Sequence, residues 1–167
     1  MSKTKRVVGI LACVAAFSGV VGCDWIAQRE LRVGESTETE VRKMMGQPNQ
    51  VWEEADGRRV LEFARGPAGQ ETYMVTIGAD GRYTGMVNVL VDAYFDRVGA
   101  GMTRQALLRL LGKPTERVRL EAKNVDVWSW RHRSSDGRDE MFHVYFDAQG
   151  RVARTARGPD ERSINVQ

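Results

Sequence analysis

Cysteine is almost missing from this 167-residue chain, which has only Cys13 and Cys23. Cys13 lies within an apolar run from Val7 to Val21, broken only by Gly9, Ser18 and Gly19, and Lys3, Lys5 and Arg6 precede it. A basic start, a short apolar middle and a small-residue end describe a secretory signal. The run falls short of the roughly 20 apolar residues that span a bilayer. If residues 1–22 leave as a signal, Cys23 keeps no partner, and a disulfide within the mature chain is excluded. Packing alone must then hold the fold.

Histidine is equally scarce, with His132 and His143 only. A zinc site asks for three or four ligands in defined geometry, and no such cluster is visible, so neither metal nor other cofactor is expected. His143 falls on the outward side of a predicted strand and His132 shares the parity of Trp128 and Trp130; both read as solvated or locally bonded. No glycine-rich phosphate loop follows a strand, and no G-x-S-x-G elbow occurs. The acids Glu53-Glu54 and Asp136, Asp139-Glu140 sit around predicted turns and read as solvated loops rather than a working acid–base pair. The chain is therefore not expected to be an enzyme. Surplus charge is missing too. The chain carries 25 Lys and Arg against 22 Asp and Glu, and the three excess cations all belong to residues 1–22. The remainder is balanced, which argues against a nucleic-acid partner. Arg151, Arg154 and Arg157 share no single strand face and read as partners for nearby acids or lipid headgroups.

What the sequence does contain is a repeat. "TETEVRKMMGQP" at 37–48 aligns with "TRQALLRLLGKP" at 103–114, at an offset of 66 residues. In each, a threonine N-cap opens a short helix, and Thr37 with Glu40 forms a capping box. Gly46 and Gly112 allow a left-handed C-terminal turn, and Pro48 and Pro114 stop continuation. Further on, "TYMVTIGADGRY" at 72–83 aligns with "MFHVYFDAQGRV" at 141–152, at an offset of 69. Alternation places Tyr73, Val75 and Ile77 inward, and likewise Phe142, Val144 and Phe146. Leu61 and Phe63 match Trp128 and Trp130, again inward, and Trp52 matches Val118 with the same assignment. Short helical segments are expected near 25–32 and 90–98. The whole reads as α+β: two tandem repeats, each a short helix pair packed on an antiparallel meander of about three or four strands. The first repeat covers 23–90 and the second 91–157, with a loose tail at 158–167.

The outward faces of the strands carry methionine and tyrosine among polar residues. The first offers Thr72, Met74 and Thr76, the second Met141, His143 and Tyr145. A sheet facing water should be polar there, and Met and Tyr are favoured at interfaces. Met74, Thr76, Met141, His143 and Tyr145 are therefore the candidate protein-binding residues; the alternative is that the tail or the other repeat covers them.

Four resemblances add to this. Val20-Val21-Gly22-Cys23 resembles a bacterial lipobox, which implies lipidation of Cys23, cleavage before it and a membrane anchor facing the periplasm. Asp24 resembles an inner-membrane retention signal, so either membrane is open. The stretch "GMTRQALLRLLGKP" at 101–114, together with "WSWRH" at 128–132, resembles the SmpA/OmlA (BamE-like) lipoprotein family, here in duplicated form. That resemblance implies an envelope protein partner, with the outer-membrane β-barrel assembly machinery as the candidate, and an outer-membrane location. The tandem arrangement is also similar to the β-lactamase inhibitory protein fold, which implies the other reading, a membrane-tethered inhibitor of an envelope enzyme.

Overall fold

The computed structural model describes residues 23–65 and 69–160; the proposed signal, residues 66–68 and residues 161–167 lie outside them. The first unit runs α1 (Cys23–Glu30), α2 (Glu38–Met45), β1 (Gln50–Glu53), β2 (Arg59–Ala64), β3 (Thr72–Ile77) and β4 (Tyr83–Asn88). The second repeats this order: α3 (Asp92–Phe95), α4 (Arg104–Leu111), β5 (Glu116–Leu120), β6 (Val125–Arg133), β7 (Asp139–Phe146) and β8 (Val152–Pro159), with a 3-10 turn at Glu121–Lys123 between β5 and β6. The fold is α+β with two separate four-stranded sheets, β1-β2-β3-β4 and β5-β6-β7-β8, in which every neighbour is antiparallel.

The helix ends follow from their residues. Thr37 Oγ1 accepts the Glu40 N–H at 3.3 Å while a Glu40 carboxylate oxygen accepts the Thr37 N–H at 2.7 Å, a reciprocal box that satisfies two orphan donors. Thr103 Oγ1 accepts the Ala106 N–H at 3.1 Å, and alanine at that place cannot return the bond. Both helices end on a positive-φ glycine, but the turn is not the left-handed helical one. Gly46 (φ 86°, ψ −158°) and Gly112 (φ 74°, ψ −165°) occupy an extended region open only to glycine.

Each sheet buries one face beneath its own helices. In the first unit Ala27, Leu31, Val41 and Met45 pack on Leu61, Phe63, Tyr73, Val75 and Ile77. In the second, Phe95, Leu107 and Leu111 pack on Trp128, Trp130, Phe142, Val144 and Phe146. The second core extends further. Met74, on the opposite face of β3 from Val75, belongs to it, and Val60 packs against it. The second unit's helix layer therefore touches both sheets, on the inner face of its own and the outer face of the first.

Three expectations are corrected. Val51 pairs with Leu61 and takes the inward place on β1, so Trp52, opposite Val60, faces outward. Val118 pairs with Val127 and also faces outward, while Arg117, opposite Trp128, lies on the inner side with its guanidinium 4.3 Å from that ring. The edge strands are offset by one residue from the assigned parity, because their burial is too slight to leave clear alternation. Finally, the loose stretch does not start at Gly158. β8 continues to Pro159, and Asp160 is buried against Arg131.

Candidate protein-binding face

The contact between the units turns on one peptide. The Gly112 carbonyl accepts the Trp130 indole N–H at 3.1 Å, which ties α4 to the second sheet. The next N–H, on Lys113, donates to a Glu62 carboxylate oxygen at 2.7 Å, which ties it to the first. Around this pin the outer face of the first sheet is closed over Glu62 and Met74, while Val87 on β4, opposite Met74, stays 38% exposed. Arg109 of α4 pairs with Glu54 and lies over the Trp52 ring at 5.2 Å, and Leu108 lines a small cleft with Trp52, Glu62 and Arg117. Burial pushes the Glu62 carboxyl above its ordinary range, against the opposing pull of the Lys113 N–H. The Trp52 indole N–H also favours the charged form, though it lies outside hydrogen-bond geometry.

The matching face of the second sheet carries no helix among the described residues. Strand register sets out its rows. Val118, Val127, Tyr145 and Arg154 stand side by side across all four strands. Glu116, Ser129, His143 and Ala156 form the next row, and Arg131, Met141 and Gly158 the one after. Val118 is 48% exposed and Leu120 is exposed beside it, while Tyr145 and His143 are half-buried. The Arg154 guanidinium sits 3.4 Å from the centre of the Tyr145 ring, a cation–π contact on an exposed side chain. Ser129 Oγ and His143 Nδ1 lie 2.8 Å apart, and burial holds His143 below its ordinary range.

The five candidate residues thus divide. Met74 is 6% exposed and belongs to the second unit's core, so it is unavailable to an outside partner. Thr76 remains half-buried on the same face. Met141 points outward as expected but is only 5% exposed, beside the buried Arg131–Asp160 pair. His143 and Tyr145 stay on the open face. Val118 and Arg154 are its exposed members, with Val127 between them in register but only 7% exposed; none was assigned from the sequence, because membership depends on register across strands. Cys23 opens α1.

The remaining titratable groups lie in local contacts. His132 is not solvated: it is 1% exposed, its ring 4.7 Å from that of Phe95, with Glu140 3.9 Å from Nε2. Burial depresses its basicity, against the opposing pull of the Arg133 backbone and Glu140. Asp136 is held at about 2 by hydrogen bonds from Arg138 and Ser134. Arg157 bonds Asp92 at 2.7 Å and Asp96 at 3.0 Å, fastening β8 to α3. Among the described residues no three His, Cys, Asp or Glu side chains converge as metal ligands, and no helix is long and apolar enough to cross a membrane.

No family model and no curated protein matches the chain, so the SmpA/OmlA resemblance rests on its motif residues. Two solved structures are similar. One is a provisionally assigned beta-lactamase inhibitor protein from Streptococcus mutans, 10% identical, with a TM-score of 0.34, covering 81% of this chain and 95% of that one. The other is the DUF4309 family protein YjgB from Bacillus subtilis, 14% identical, with a TM-score of 0.31, covering 79% of this chain and 84% of that one.

Proposed function

We propose that this chain is a lipid-anchored, periplasm-facing scaffold that binds an envelope protein through the outer face of its second sheet. One observation carries the reading. Two sheets of the same plan differ in what covers them: α4 covers the middle of the first, at Glu62 and Met74, and the second presents the Val118–Val127–Tyr145–Arg154 row. An apolar row with an aromatic at its middle and a cation at its end has the make-up of an interface. Cys23, acylated, supplies the membrane attachment, and more than one chain makes such an anchor durable. The chain acts by binding rather than by catalysis, within cell-envelope and outer-membrane protein assembly.

Two measurements test this. A photoreactive phenylalanine at position 145 of the full chain in cells should crosslink one envelope protein, and the same group at Thr39 on the exposed side of α2 should not. A partner among assembly subunits supports the scaffold; a single enzyme losing activity on binding supports the tethered inhibitor instead. Labelled fatty acid should enter the wild-type chain and not Cys23→Ser. Equal crosslinking from both positions, or label in Cys23→Ser, contradicts the reading.

A further inference from the structure

The covered face serves as a template for what the open one accepts. On the first sheet, Trp52 and Val60 occupy one row, with Glu62 and Met74 in the next. The eight-residue α4 meets them with Leu108, Arg109 and its C-terminal turn. On the second sheet the corresponding rows hold Val118 and Val127, then Ser129 and His143. Four strands about 4.8 Å apart make this face roughly 14 Å wide. That width equals about two and a half helical turns, roughly ten residues.

Charge decides which helix fits. At the template, the sheet contributes the acid, Glu54, and the helix the cation, Arg109. On the open face the charged end of the row is Arg154, exposed and stacked on Tyr145, with no carboxylate paired to it among the described residues. Glu116, exposed in the neighbouring row, is already engaged. The cation at the end of the row is on the sheet, the reverse of the template, so the occupant must bring a carboxylate. The matching helix of a second copy does not supply it, because its carboxylates are engaged, Glu38 with Arg42 and Arg59 and Glu40 with Thr37. That helix is α2, which has Arg42 where α4 has Leu108 and Lys43 where α4 has Arg109. Arg42 is already committed to Glu38 and Gln47. Docking α2 would place cations against Arg154 and bury a charge in the apolar row.

We infer that the outer face of the second sheet takes a short amphipathic helix of a partner protein, apolar along one side and acidic at its flank. This rests on the binding-face reading above and names the class of partner element it accepts. The probes are three synthetic peptides of about ten residues. One has leucines at i, i+3, i+4 and i+7 with flanking glutamates; one replaces the glutamates with lysines; one keeps the acidic composition but carries a central proline. Binding is measured by fluorescence anisotropy on the detergent-solubilised full chain, as wild type, Val118→Asp and Arg154→Glu. Both substitutions are at exposed positions on edge strands, and circular dichroism checks that the fold is kept.

The acidic helix should bind best. Val118→Asp should weaken it about tenfold or more, because it sets a carboxylate against the helix's apolar side and its flanking glutamates. Arg154→Glu should transfer the preference to the lysine peptide. Equal binding of the proline peptide, or indifference to Val118→Asp and Arg154→Glu, overturns the inference. If the probes fail while position 145 still crosslinks a partner through a loop or strand, the helix inference falls and the binding face survives. If neither binds, both fall.

Discussion

Gly46 and Gly112 hold the same place at the ends of α2 and α4 and share a backbone conformation only glycine adopts readily. Their surroundings differ completely. A Cβ on Gly46 would meet nothing within 4 Å, whereas one on Gly112 would lie 2.8 Å from Thr72 Cγ2 and 3.0 Å from Glu62 Cδ. The aromatic beneath differs too: Phe63 in the first unit has no donor, and Trp130 in the second gives its N–H to the Gly112 carbonyl. One copy's helix ends in solvent and the other's is pinned between two sheets. The two units share one order of elements, and stacking leaves their helix ends in unequal surroundings. The first unit gave up its outer face to its neighbour, and the second kept its own, as the terminal member of a repeat array does.

The largest effect should come from breaking the pin. Gly112→Val combines backbone strain of about 1–3 kcal/mol with overpacking of similar size, so a loss near 4 kcal/mol is expected in chemical denaturation. Gly46→Val should lose only the strain. Equal losses would mean that α4 does not bridge the sheets.

Met74→Ala should come next, at about 3 kcal/mol, the ordinary cost of emptying a buried methionine site. Its counterpart on the open sheet, His143→Ala, should cost about 1 kcal/mol, the scale of the single hydrogen bond to Ser129. Trp130→Phe restores the first unit's residue type and removes the bond to Gly112; about 1 kcal/mol should be lost, with the far-ultraviolet spectrum unchanged.

The smallest effect depends on pH. Burial raises the folded-state affinity of Glu62 for its proton. The stability this proton contributes is therefore full below about pH 4.5 and is lost as pH rises through the higher folded value. Glu62→Gln, neutral throughout and still able to accept the Lys113 N–H, should be more favourable relative to wild type at pH 7 than at pH 4. The change should stay within about 1 kcal/mol. A gap that widens toward low pH would place the Glu62 carboxyl in the opposite environment.

Much of this was legible in the residues. Capped helices with their glycine and proline stops, two interior strands with matched alternation, and the turns at Asp80-Gly81 and Gln149-Gly150 locate two repeats of helix and meander. The edge strands were not legible, since β5 is exposed along its whole length and offers no alternation to read. Nor was the fate of Met74 and Tyr145, which occupy like strands and share parity. What separates them is a contact between the units, fixed by the Lys113 backbone N–H on Glu62, 51 residues away in the chain. Backbone groups of that kind leave no trace in side-chain pattern.

The most direct test pairs Tyr145→Ala with Val144→Ala on the full chain, measuring unfolding free energy and capture of the crosslinked partner on the same preparations. Val144 is fully buried on the inner face, and Tyr145 stands next to it on the outer. Val144→Ala should cost about 2 kcal/mol and leave capture by the folded fraction intact. Tyr145→Ala should change stability by only about 0.5 kcal/mol while weakening capture by about 2 kcal/mol or more. A Tyr145→Ala protein that unfolds as easily as Val144→Ala, or one that folds and captures normally, would contradict the open face.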